Sequence, residues 1–340
     1  MSDISQSDPA ISATVVADVT QPPAAGCVAG IDLGGTNLRV ALADLEGNIL
    51  ARSAVSSRDL RDPGVAVELI RDQVRDLLPR VSRDGACLRA AAVGAPGITD
   101  ADAGVVIATS YLMGWVNVPL RAMLESALGV PCAVDNDVNL GAVGERWRGA
   151  AQNVRDFVLI AIGTGLGAGV VLGGEIFRGS SWTAGELGYM LVPGTSVEVP
   201  DIREPGALEK LIGGEGIKSQ WQALWATSDV KEPRDLKATE IFDYALKGLP
   251  AAQSVLNRTA RLLAYTIHNV WLTLNCPLFV LGGRVGLHPA LLEATREHLA
   301  RQLRRVQPRL ALSALGEDAQ LMGALRLALD VARVIGTKPK

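Results

Sequence analysis

Short apolar runs that end in glycine alternate along this chain with longer stretches in which apolar residues recur every three or four positions. Val28 to Asp32 reads as a buried strand running into Gly34-Gly35. Asn37 to Leu45 alternates as a second strand, Glu46-Gly47-Asn48 makes a hairpin turn, and Ile49 to Val55 returns as a third. Asp62-Pro63 then opens a helix carrying Val65, Val67, Leu69, Ile70, Val74, Leu77 and Leu78. Leu88 to Val93 is a short strand closed by Gly94-Ala95-Pro96-Gly97. Pro119 starts a helix to about Leu128. Pro131 to Val134 is a further strand, and it delivers Asp135-Asn136-Asp137 to the start of a helix.

The second half repeats this logic. Phe157 to Ile162 is a strand ending in Gly163-Thr164-Gly165-Leu166-Gly167. Gly167 to Leu172 and Glu175 to Phe177 pair across Gly173-Gly174. Ala207 to Leu274 is helical, with breaks near Pro233 and Pro250. Leu278 to Leu281 is a strand into Gly282-Gly283, Pro289 to Arg304 a helix, Leu310 to Ala314 a strand, and Glu317 to Val334 a final helix. Two α/β halves follow, each opening with a hairpin and a Gly-rich turn, with mixed sheets flanked by helices. Two such lobes are expected to hold a ligand between them.

Composition narrows the class. The 340 residues are 48% apolar, 20% charged and 4% aromatic, a normal globular balance that suits about two domains. A net charge of -3 gives no field for nucleic acid or anionic lipid, so neither is expected as a partner. Cys27, Cys87, Cys132 and Cys276 are scattered and read as buried thiols of a reducing compartment. The first basic residue is Arg39, so the start does not read as a secretory leader. The uncharged stretch from Phe157 to Gly174 carries six glycines and reads as strands and a turn rather than a membrane helix. A cytoplasmic protein is expected. Residues 1–25, rich in Ser, Ala, Asp and Pro, read as a disordered tail, too short for a helix-turn-helix domain.

Four segments carry candidate chemistry. In Asp32-Leu33-Gly34-Gly35-Thr36-Asn37 the glycines let backbone amides approach a phosphate, Thr36 adds a hydroxyl, and Asp32 suits a magnesium ion held through water. A tight hairpin that needs glycine accounts for the same residues equally well. Gly163-Thr164-Gly165-Leu166-Gly167-Ala168-Gly169 is a second such turn. A hairpin rather than a helix is expected to follow it, which counts against the dinucleotide fingerprint. Asp135-Asn136-Asp137 offers a carboxylate, Asp137, to accept a proton from a hydroxyl undergoing phosphorylation, with Asn136 to orient the acceptor; a helix N-cap explains the same residue types. Thr183-Ala184-Gly185-Glu186-Leu187-Gly188-Tyr189, with Glu209 downstream, offers carboxylates for paired sugar hydroxyls, although surface charge in a loop reads the same way.

Together these segments resemble the ROK family of sugar kinases and sugar-responsive repressors, in family order from about Gly30 to Leu327. They are Gly30-Ile31-Asp32-Leu33-Gly34-Gly35-Thr36-Asn37, Gly94-Ala95-Pro96-Gly97, Asn136-Asp137 with Asn139 and Gly144-Glu145, Gly163 to Gly169, Ala184-Gly185-Glu186-Leu187-Gly188, and Leu281-Gly282-Gly283. The resemblance implies an actin-like ATPase (ribonuclease H-like) fold of two lobes. It also implies transfer of the γ-phosphoryl group of Mg-ATP to a hexose hydroxyl, usually the 6-hydroxyl, with glucose the first candidate. Asp137 falls on the catalytic base. Asn136, Glu186, Tyr189 and Glu209, with Pro96 and Gly97, fall on sugar-contacting positions. Asp32, Gly34, Gly35, Thr36, Asn37, Thr164 and Gly165 fall on the phosphate and metal loops, and Gly282 and Gly283 on the adenosine site. The expected division is a tail at 1–25, a small lobe of 26–138 with 317–336, and a large lobe of 139–316; a homodimer is expected.

Two departures bear on substrate and metal. Most members of the family carry a histidine where this chain has Tyr189, and members carry a cysteine cluster ahead of the downstream Glu, whereas Met190 to Leu208 contains no cysteine. No zinc is therefore expected, and the loop from Leu191 to Pro205 must be ordered by something else or be mobile. The Asn-Leu-x-Gly-Trp segment common in members reads Tyr111-Leu112-Met113-Gly114-Trp115. A non-catalytic sugar sensor of the same fold is the alternative reading.

Overall fold

The computed structural model describes residues 12–15, 26–58, 60–81, 88–196, 204–227, 231–303 and 307–336. The chain divides into two compact units, Met1–Leu140 with Leu321–Lys340, and Gly141–Gln320.

In the first unit, strands β1 (Ser12–Val15), β2 (Cys27–Leu33), β3 (Asn37–Ala43) and β4 (Ile49–Ser56) precede helix α1 (Pro63–Val81). Strands β5 (Leu88–Ala95), β6 (Ile98–Asp100), β7 (Val105–Ala108) and β8 (Val116–Val118) follow. Next come helix α2 (Leu120–Leu128), strand β9 (Cys132–Asn136) and helix α3 (Asp137–Arg148), whose residues from Gly141 onward belong to the second unit. The main sheet has the order β1-β4-β3-β2-β5-β9. All seven residues of β2 are buried, which is why the strand reads as a continuous apolar run, whereas β4, nearer the edge, alternates. α1 lays Val67, Ile70, Val74 and Leu77 into the core of this unit.

Two features differ from the sequence reading. Within the expected tail, Ser12–Val15 forms an edge strand antiparallel to β4; the rest of residues 1–25 lies outside the described residues. Its Ser-Ala-Thr-Val sequence carries little strand signal, and the ladder groups offered by β4 supply the pairing. The separate sheet β6-β7-β8 was not anticipated, because strands of three or four residues are too short to display a period.

The parallel trio β2, β5 and β9 positions the chemistry. Asp32 pairs in register with Gly94, and Gly94 with Asp135, so three strands end side by side. Carboxyl ends of parallel strands are where α/β folds collect ligand-binding loops.

The second unit carries β10 (Phe157–Ile162), β11 (Leu166–Leu172) and β12 (Glu175–Ile176). Helices α4 (Glu209–Ile212), α5 (Gly214–Thr227), α6 (Ala238–Leu246) and α7 (Pro250–Leu274) come next. They are followed by β13 (Leu278–Gly282), α8 (Gly283–Gly286), α9 (Pro289–Gln302) and β14 (Arg309–Leu312). The last helix, α10 (Ala319–Gly336), returns the chain to the first unit. The sheet order is β12-β11-β10-β13-β14, parallel between β10, β13 and β14. The core is built on α7, which starts at Pro250 and buries Val255, Leu262, Leu263, Ile267 and Val270 with fully buried Trp221 and Phe242. Among the described residues no helix is long and apolar enough to cross a membrane.

Candidate functional site

The Gly34–Thr36 turn joins β2 to β3 and is braced from within the first unit. Gly34 N–H donates to the Asn37 carbonyl at 3.0 Å. Buried Ser57 donates twice to the turn, its amide to the Thr36 carbonyl at 3.0 Å and its hydroxyl to the Gly34 carbonyl at 2.5 Å. The amides of Gly35 and Thr36 meet no acceptor among the described residues, the arrangement an anion-binding turn requires. Asp32 is buried, and its Oδ2 accepts from Arg39 Nε at 2.8 Å and Nη2 at 2.5 Å. One carboxylate at a glycine turn fits a magnesium ion held through water against phosphates, not a cage of protein ligands. Among the described residues no three His, Cys, Asp or Glu gather as a metal site.

The start of α3 resolves which residue is the cap. Asn136 Oδ1 accepts from the amides of Val138 at 2.9 Å and Asn139 at 3.0 Å, which is N-cap geometry. Asn136 Nδ2 donates to the Gly97 carbonyl at 2.9 Å, leaving its second amide hydrogen for a ligand. Buried Asp135 holds this arrangement, accepting from Asn136 N at 2.8 Å and Asn139 Nδ2 at 3.2 Å. Asp137 is half-buried on the first turn, where it accepts from the next amide at 2.9 Å. Gly97, after Pro96, has φ of 95°, and a Cβ there would run into the Ala108 carbonyl and Thr109. Only glycine brings this backbone to Asn136.

In the second unit, the turn Gly163–Gly165 is closed by Gly163 N–H to the Gly165 carbonyl at 3.0 Å and receives Gly214 N–H on the Gly163 carbonyl at 2.9 Å. Thr164 is exposed, and the amides of Thr164 and Gly165 also meet no acceptor among the described residues. Glu209 Oε2 accepts the Leu166 amide at 2.9 Å, tying α4 to the strand that leaves this turn. Glu186 lies close enough to feel Glu209. Its carboxyl is pushed up to about 7, first by burial and then by the Glu209 charge. No hydrogen-bond donor reaches that carboxylate among the described residues. Tyr189 turns its hydroxyl to the Glu204 carbonyl at 2.7 Å, and Leu208 N–H donates to the Gly188 carbonyl at 2.9 Å. Gly282 pairs with Ala161 at the end of β13, and Gly283, with φ of 72°, sits against the Ile162 backbone where a Cβ would clash.

The structure thus brings Asp32, Gly34, Gly35, Thr36, Asn37, Pro96, Gly97, Asn136 and Asp137 to one end of the first unit's sheet. Glu186, Tyr189 and Glu209 gather beside the strand leaving the Thr164–Gly165 turn, and Gly282–Gly283 lies next to the strand entering it. Ser57 has no sequence signal for its bracing role, because it reaches back 23 residues to Gly34, whereas Asp135 stands in the Asp135-Asn136-Asp137 segment and braces through local bonds to Asn136 and Asn139.

The chain is similar over most of its length to proteins of known kind. It is 29% identical to a glucokinase of Halalkalibacterium halodurans, covering 86% of this chain and 92% of that one. It is 30% identical to an N-acetylmannosamine kinase of Citrobacter koseri, covering 88% and 97%. Among solved structures, a ROK family glucokinase from Streptomyces griseus, in complex with glucose and AMPPNP, superposes with a TM-score of 0.76 at 25% identity, covering 90% of this chain and all of that one. The α/β architecture is that of the actin-like ATPases. The sequence profile of the ROK family matches residues 28–331, and the chain belongs to that family.

Proposed function

We propose that the chain is an ATP-dependent sugar kinase that transfers the γ-phosphoryl group to a hexose hydroxyl, the 6-hydroxyl, with glucose as the first acceptor to test. The observation that carries this reading is the division of labour at α3. Asn136 caps the helix, so Asp137 is released from that structural duty and stands half-buried at the sheet's carboxyl edge. Its carboxylate accepts the hydroxyl proton as the oxygen attacks phosphorus.

The remaining roles follow from the donor and acceptor inventory. The unpaired amides of Gly35 and Thr36, and of Thr164 and Gly165, hold phosphate oxygens, with Gly34 and Asn37 shaping the first turn. Gly282 and Gly283 are assigned to the adenosine site. Asp32 would hold a magnesium ion, which would supply neutralisation of phosphate charge. In the first unit, Asn136 and the Pro96-Gly97 backbone are assigned to sugar hydroxyls; in the second unit, Glu186 and Glu209 are assigned to the same kind of ligand. Tyr189 shapes that pocket through the loop it ties down. The similarity to a glucokinase and an N-acetylmannosamine kinase supports this substrate class.

The test is a coupled ADP-release assay with Mg-ATP against hexoses and N-acetylhexosamines. Turnover on one sugar is expected. Asp137→Asn should keep the fold and lower kcat by about 100- to 10,000-fold. Wild-type turnover in a folded Asp137→Asn protein would remove Asp137 from the mechanism. Silence of the wild type across the panel, with ATP bound, would favour a sensor.

A further inference from the structure

Beside the Gly34–Thr36 turn, within the first unit, lies a concavity of about 270 Å³ lined by Gly35, Ser57, Arg58, Arg61, Tyr111 and Met113 among others. Gly35 belongs to both features, so the concavity begins where the turn presents its unpaired amides. Ser57 makes the two a single construction: the amide and hydroxyl that brace the turn belong to the residue just before Arg58. The next turn of chain is fixed in the same way, since Leu60 N–H donates to the Ser57 carbonyl at 3.3 Å. Arg58 and Arg61 are thus anchored to the phosphate turn rather than placed on an independent surface loop.

Their charge is uncommitted. Arg71, Arg75, Arg284, Arg296 and Arg326 each pair with a nearby carboxylate. The guanidinium groups of Arg58 and Arg61 take part in no ion pair or hydrogen bond among the described residues. The adjacent acid, Asp62, is occupied elsewhere: its Oδ1 accepts the Val65 amide at 3.1 Å and caps α1. Asp59, between the two arginines in sequence, lies outside the described residues. Two solvated arginines on a loop would need no explanation by themselves. Two uncommitted arginines around a concavity whose wall is the glycine of an amide-presenting turn describe an anion site, because guanidinium groups match phosphate oxygens with paired donors.

We infer that this concavity is a subsite for a phosphate group lying beyond those held by the Gly34–Thr36 turn, with Arg58 and Arg61 as its ligating residues. The inference rests on reading that turn as a phosphate loop. It adds that the ligand bears a further phosphate, either along an inorganic oligophosphate or on a sugar phosphate. Adenosine is not required for it.

The experiment is a calorimetric titration of the full chain with inorganic tripolyphosphate and, separately, with glucose 6-phosphate. It compares wild type with Arg58→Ala/Arg61→Ala and with Arg58→Lys/Arg61→Lys. The expected result is a tenfold or greater loss of affinity for one of the two probes in the alanine variant, partly recovered by lysine and steepened at low salt. Loss confined to tripolyphosphate identifies an oligophosphate occupant, and loss confined to glucose 6-phosphate identifies a sugar phosphate. Affinities within twofold of wild type for both probes, or no binding of either probe to wild type, overturn the subsite. The kinase reading fails on a different signal, absence of ADP release by the wild type.

Discussion

Glu145 and Glu186 are two carboxylates of the same unit with opposite surroundings. Glu145, on α3, is fully buried and saturated. It accepts the Ser313 hydroxyl at 2.5 Å and the amides of Ala150 at 2.6 Å, Leu315 at 3.1 Å and Ala314 at 3.2 Å. Glu186 is half-buried, lies near Glu209, and takes no hydrogen bond from the described protein. A carboxylate with four donors is holding the chain together: α3 and the segment after β14 converge on one side chain. A carboxylate withdrawn from water without donors is a cost to the fold, and such sites gather where ligands bind.

The largest effect that would break this contrast is at Glu145. Glu145→Ala strands three part-buried amides and the buried Ser313 hydroxyl, so stability should fall by about 3–5 kcal/mol, read as a shift in the urea midpoint. Glu145→Gln keeps the shape and one acceptor oxygen, and should lose about half as much. A Glu145→Ala protein as stable as wild type would mean that water replaces the carboxylate, and the saturated half of the comparison would fall.

Glu186→Gln tests the other half, and should trade function for stability. If the carboxylate binds sugar hydroxyls, kcat/KM for the accepted sugar should drop about 10- to 100-fold. Stability should move the other way, with a definite pH dependence. The folded carboxyl is raised from its ordinary 4.5 to about 7, so the native state binds more protons than the unfolded chain between these values. Stability from this group is therefore present in full below about pH 4.5 and lost as pH rises through about 7. Replacing it by Gln should flatten that slope and stabilise the protein above pH 7 by about 1–2 kcal/mol, after allowance for solvent at a half-buried site. Chemical denaturation at pH 5 and pH 8 checks both signs. A variant less stable than wild type at pH 8 would show that Glu186 is structural after all.

The two carboxylates were unequally legible in the sequence. Glu186 stands in a Gly-Glu-x-Gly segment to which the family resemblance gives a role, so the sequence alone points to it. Glu145 follows Gly144 in a segment that suggests no role for it, because Ser313, Ala314 and Leu315 lie far along the chain and no local pattern joins them. The fold shows the same split. The buried run of β2, the hairpin across Gly173-Gly174 and the long α7 were each readable from local period and turn chemistry. Edge strand β1 and the small sheet β6-β7-β8 were not, since their pairing is decided by tertiary neighbours. At α3 the sequence left open whether Asp137 was a cap; the Asn136 hydrogen bonds decide it, and a one-residue difference of that kind is invisible to composition.

The smallest expected effect sharpens the contrast at the edge of the Glu186 region. The chain has Tyr189 three residues beyond Glu186, and its hydroxyl donates to the Glu204 carbonyl at 2.7 Å. Lys210 adds an exposed ion pair to the Glu204 carboxylate at 3.5 Å, and Leu208 N–H closes on Gly188 at 2.9 Å. These links fix the segment entering α4, on which Glu209 sits and from which it accepts the Leu166 amide. Tyr189→Phe removes the neutral hydrogen bond to the Glu204 carbonyl, so global stability should fall by only about 0.5–1.5 kcal/mol. Its local consequence should be sharper: faster amide exchange at Leu208 and Leu166, and a KM for sugar raised several-fold with kcat little changed, because the phenol acts by holding Glu209 rather than on the reacting atoms. Unchanged exchange at both amides with a raised KM would instead put the Tyr189 hydroxyl in direct contact with the sugar. Unchanged exchange with an unchanged KM would mean that Glu209 is positioned without help from the Tyr189 hydroxyl, and that the loop takes no part in binding.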